Sequence, residues 1–112
     1  MGFEVIVSPK TNKQIITLGV ENVISEACFP IKVAHGHIKH LAEAGVDAVF
    51  VPSFINVNMD EDDFERGLAC PHVQTIPYVS GVVIRGIRML SPVIDMSEGK
   101  KRYVNNLLSV FK

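Results

Sequence analysis

The stretch "VDAVFVPS", residues 46–53, is apolar at both odd and even positions except for Asp47 and Ser53. A strand with one wet face alternates apolar and polar side chains, because successive residues point to opposite sides. A run with no polar face to offer water belongs in a strand covered on both faces. The architecture that supplies such cover is a parallel sheet with helices packed on it, so the strand at 48–51 is expected in the interior of that sheet.

The remaining periodicities fit this requirement. From Pro30, the residues Ile31, Ala34, Ile38, Leu41 and Ala42 recur at a 3.6-residue spacing, and Gly45 marks the helix end. Pro30 suits the opening of that helix, where an N–H would have no partner. Residues 3–7, "FEVIV", read as a buried strand ended by Ser8-Pro9, and a helix follows from Asn12 to about Leu18, stopped by Gly19. Helical spacing returns at Val73, Ile76, Ser80, Val83, Ile84 and Ile87, with Pro71 at its start and Pro77 inside. An uncompensated internal proline costs roughly 3 kcal/mol. The rival reading is a strand at 73–76 with a helix opened by Pro77; the kinked helix is preferred. "RMLSPVI" is a further strand, and Ser97 caps a last helix with Val104, Leu107, Leu108 and Phe111 on one face.

Strands alternating with helices predict one α/β domain over residues 1–112, with a Rossmann-like or flavodoxin-like parallel sheet and helices on both faces. Little chain precedes the opening strand, which suggests a piece of a longer protein.

The bulk chemistry excludes several classes. Apolar residues make up 47% and charged residues 21% of the 112, which is the balance of a folded domain. A net charge of −1 and the lack of a basic cluster argue against nucleic acid as a partner. No apolar run is long enough to cross a bilayer, so no membrane partner is expected, and "MGFEVIVSPK" is not a secretion signal. A cytoplasmic location follows, with the two cysteines kept as thiols or ligands. The acidic run Asp60, Glu61, Asp62, Asp63 reads as a solvated loop, since it lacks the ligand pattern of a calcium loop. No Walker loop, GxGxxG or GxSxG occurs.

Two cysteines stand in matching places: Cys28 in "CFP" and Cys70 in "CP", each just ahead of a proline that can open a helix. Helices that follow parallel strands would put both at the carboxyl edge of the sheet, where open α/β folds bind ligands. A helix N-terminus favours a thiolate or the sulfurs of a cluster. Two buried cysteines serving as small apolar residues is the plainer alternative. His35 and His37 lie two apart, about 200° around a helix, and so cannot chelate one ion from it. Gly36 between them costs about 1 kcal/mol against alanine, so a ligand or another backbone is expected to approach there. That makes Lys32 and His35 candidates as well. Cys28 as a nucleophile with His35 as base lacks an evident orienting carboxylate, although Glu26 is near in sequence.

"GFEVIVSPKTNK", "SEACFPIKVAHGHIKHLAEAGVDAVFVPS" and "ACPHVQTIPYV" together resemble a domain of proteins related to the activator of 2-hydroxyglutaryl-CoA dehydratase. That domain is itself similar to the D-component family of 2-hydroxyacyl-CoA dehydratases. The resemblance covers most of residues 2–95. It implies that Cys28 and Cys70 are metal ligands of an iron–sulfur cluster, in low-potential electron transfer towards an acyl-CoA substrate. It also implies that Lys32, His35 and His37, within the same motif, are cofactor-binding. An ATP-binding part and further cysteines are absent here, and a [4Fe–4S] cluster usually takes four thiolates. The remaining ligands are therefore expected from the rest of a longer polypeptide or a second subunit. A non-catalytic assembly module with structural cysteines and a zinc site made by Cys28, Cys70 and a histidine are the alternatives.

Overall fold

The structure is a computed structural model and describes residues 2–23, 26–57 and 67–111; the acidic run at 60–63 lies outside them. It is a mixed α/β arrangement. In chain order the elements are α1 (Lys13–Glu21), α2 (Phe29–Glu43), β1 (Ala48–Phe50), β2 (Ser53–Asn56), α3 (Pro71–Val83), β3 (Arg88–Leu90), β4 (Val93–Asp95) and α4 (Lys100–Ser109).

β1 pairs with β3 and β2 with β4, both parallel. The two pairs form one ribbon crossed by prolines. Phe50 faces Leu90 and Ser53 faces Val93, so Pro52 stands opposite Pro92. The ladder carries across this point, with the Val51 N–H donating to the Leu90 carbonyl at 2.9 Å and Ser53 N–H to the Pro92 carbonyl at 2.9 Å. The missing rung is the one that an N–H at position 92 would make, and proline has none. The parallel pairing matches the sequence reading, but the interior placement does not. Among the described residues β1 is paired on one side only, and Phe50 is 45% exposed.

The core lies on one face of this ribbon. Val49 packs with Ile38 of α2 and Ile84 after α3, all nearly sealed from water, with Leu41, Val46, Ile76 and Met89 around them. Burying an aliphatic side chain of this size contributes about 1.5–3 kcal/mol. Phe50, one residue on, points to the other face and stacks on Phe111, just past α4, at 5.9 Å. The chain just past α4 thus covers part of the face opposite α2.

α2 begins at Phe29, with Cys28 as N-cap, and ends before Ala44 and Gly45, whose φ of +79° suits glycine. The mid-helix Gly36 has its explanation in α1. A methyl group on Gly36 would collide with the Ile15 carbonyl, and one on Gly19 with the Lys32 carbonyl. The body that approaches Gly36 is therefore a backbone. Gly19 lies inside α1, which runs on to Glu21, so it does not stop that helix as expected.

α3 is the helix with an internal proline. Pro77 offers no N–H to its preceding turn and crowds it. The carbonyl that loses its helical partner is that of Val73; one residue on, buried Ser53 of β2 donates its hydroxyl to the Gln74 carbonyl at 2.6 Å and ties this turn to the ribbon.

Two further expectations fail. Residues 3–7 form no strand, and Val5 and Val7 are 80% and 81% exposed; high β-propensity makes no ladder without a neighbour to pair with. Ser97 does not cap the last helix. Asp95 accepts from the Ser97 N–H at 3.1 Å and opens a 3₁₀ turn, and Gly99 at φ +94° leads into α4.

Candidate functional site

The two cysteines occupy equivalent positions. Cys28 is the N-cap of α2 and Cys70 the N-cap of α3, each extended, with Pro30 or Pro71 in the first helical positions. Neither side chain caps its helix by a hydrogen bond, and both cysteines are exposed and unbridged. α2 leads into β1 and α3 into β3, which run parallel, and the helices pack side by side. Their N-termini therefore lie at the same end, the carboxyl edge of the ribbon. Neither first turn carries an acidic residue, so the partial positive charge of each helix end is not offset there.

Beneath these ends is a cavity of about 40 Å³. Ala27, beside Cys28, together with Ile31 and His35 forms one wall; His72, Thr75 and Ile76 of α3 form another. His35 is 1% exposed. Its Nδ1 lies 2.9 Å from the Ile31 carbonyl. A carbonyl can only accept, so Nδ1 carries the hydrogen and, in the neutral ring, Nε2 keeps a lone pair. That Nε2 is buried and has no hydrogen-bond partner among the described residues. His72 follows directly on Cys70-Pro71 and was passed over by the sequence reading; the unbroken order Cys-Pro-His was the available signal.

The other candidates do not converge on this cavity. His37 is held away from it, with Nδ1 at 2.9 Å from Ser8 Oγ and Nε2 at 3.0 Å from Thr11 Oγ1. It fastens the N-terminal segment to α2. Lys32 sits on the face of α2 turned to α1, its carbonyl against Gly19. His35 and His37 thus serve different neighbours of one helix. His35 and His37 diverge, as their spacing requires. Among the described residues no three of His, Cys, Asp and Glu are placed to hold one ion. Two exposed thiols are donors of the kind that a soft metal or a cluster takes, and the described residues add no third donor beside them. No helix among the described residues is long and apolar enough to cross a membrane.

A family model described as a CoA enzyme activase uncharacterised domain matches the chain over residues 1–112. No curated protein and no solved structure matches it.

Proposed function

Since the chain belongs to the family of the CoA enzyme activase uncharacterised domain, we propose that it supplies Cys28 and Cys70 as two thiolate ligands of an iron–sulfur cluster. The observation that carries this reading is the matched pair: two exposed, unbridged cysteines, each at the N-cap position of a proline-opened helix at one edge of a parallel ribbon. When bound, such a cluster supplies one-electron chemistry at low potential, towards an acyl-CoA. The chain's own part is to present two sulfurs at two positive helix ends, which suits the negative charge of a cluster. The other ligands come from polypeptide beyond these residues or from a second subunit, and the ribbon is part of a larger Rossmann-like sheet. Free thiols suit a cytoplasmic setting.

Iron and acid-labile sulfide, measured in the intact protein purified without oxygen, test the reading. Cys28→Ser and Cys70→Ser should each abolish the cluster's visible absorption while changing unfolding free energy by less than about 0.5 kcal/mol, as befits exposed side chains. An iron-free intact protein, with either serine variant strongly destabilised, would return both residues to a structural role.

A further inference from the structure

A crevice of about 860 Å³ separates residues 2–8 from the ribbon. Phe3, Val5 and Val7 stand on one side of it; on the other are Ala48 and Phe50 of β1, with Arg88 and Leu90 of β3 behind them. Its ends are fixed. Ser8 and Thr11 are tied to His37, and Phe111 lies between Phe3 and Phe50, with ring centroids 5.5 Å and 5.9 Å away. The N-terminal segment is thereby held beside β1 without pairing to it.

The backbone on both walls specifies what belongs between them. In a parallel ladder alternate residues of a strand turn their N–H and C=O to the same neighbour. Val51 and Ser53 donate towards the β3–β4 side, so Ala48 and Phe50 turn theirs away, towards the crevice edge. The segment 3–7 is apolar but for Glu4 and is without a ladder of its own. Unpaired backbone groups on an open edge accept another strand readily, whereas an acyl chain or a helix face offers them no partners. Two strands alone are also marginal; three or more give a stable sheet.

We infer that this crevice seats one further β-strand, largely apolar and parallel to β1, supplied by polypeptide outside residues 1–112. The direction follows from the helical connection between segment 3–7 and β1, the kind that joins parallel strands of one sheet. The inserted strand pairs with Ala48 and Phe50 on one side and with segment 3–7 on the other, and covers Phe3, Val5 and Phe50. This does not depend on the role of the cysteines.

Amide exchange followed by NMR tests it on the 112-residue chain and on a fusion that carries the peptide Lys-Val-Thr-Val-Ile-Val at its N-terminus through a flexible glycine–serine linker. In the unfused chain the Ala48 and Phe50 amides should exchange at least about tenfold faster than those of Val51 and Ser53. In the fusion they should slow by about tenfold or more and the melting temperature should rise, while a control fusion with proline at both central positions of the peptide should do neither. Three results overturn the proposal. Protection of Ala48 and Phe50 already present in the unfused chain at every concentration means that segment 3–7 closes on β1 itself. Protection that grows with concentration makes a second copy the occupant. An unchanged Ala48 and Phe50 in the folded fusion means that the crevice does not take a strand.

Discussion

On one flank of α2 the backbone of α1 comes so close that neither Gly19 nor Gly36 has room for a methyl group. On the other flank, segment 2–8 and β1 stand apart across a crevice of about 860 Å³. Both flanks are built from apolar sequence. The difference is in where the partner lies. α1 and α2 are consecutive helices that close on each other with little chain between them, whereas a strand needs a second strand at its side, and segment 3–7 has none among the described residues. Apolar content therefore says that a surface is to be covered, and connectivity says by what.

The closed flank should be the fragile one. Gly36→Val drives a branched side chain into the Ile15 carbonyl, which cannot swing aside as a side chain can. The expected loss is about 3 kcal/mol or more, the upper end for overpacking, read by urea unfolding. A loss below about 1 kcal/mol would mean that α1 stands off α2 in solution, and the contrast between the flanks would collapse. Next comes the core, where Ile38→Ala empties a site 5% exposed between α2 and the ribbon. It should cost about 2–4 kcal/mol; a near-neutral result would show that the ribbon is not packed on α2.

The tether between the flanks is worth less. His37→Ala removes the hydrogen bonds to Ser8 and Thr11 and should cost about 1 kcal/mol. Its sharper readout is faster amide exchange along residues 3–11, with α2 unaffected; unchanged exchange would show that something else positions the segment. Smallest of all is Val5→Ser on the open flank, expected within about 0.5 kcal/mol because the side chain is already in water. A loss above about 1.5 kcal/mol would place Val5 in a core and erase the distinction.

These contrasts also mark which features were readable from the chain. α2 was legible from end to end, since Pro30, the 3.6-residue spacing and Gly45 are local signals that packing then reinforced. The helix through Pro77 was legible as a pattern, but its tie to the ribbon was not, because Ser53 stands 21 positions from Gln74. Gly36 announced a close approach, and the structure names α1 as the body that approaches. His37 showed only a spacing from His35; its partners Ser8 and Thr11 lie 29 and 26 positions away, beyond any local reading. Segment 3–7 carries every mark of a strand, yet pairing is a property of two segments and not of one. The capping of the last helix shifted by a similar logic, since Asp95 competes with Ser97 for the same turn and wins by accepting from both its N–H and its hydroxyl.

The two facing prolines have a consequence for solubility. Along β1 and its continuation, alternate residues direct their amides outward, and position 52 falls in that outward set. There the edge has no hydrogen to give. A strand that approaches can register on Ala48 and Phe50 but meets a gap in the ladder at Pro52. Exposed apolar edges otherwise recruit like edges from other molecules into growing fibrils, and proline is a recurrent means of blunting them. This edge is receptive for a short length and closed beyond it, a geometry that admits one short guest and resists open-ended stacking.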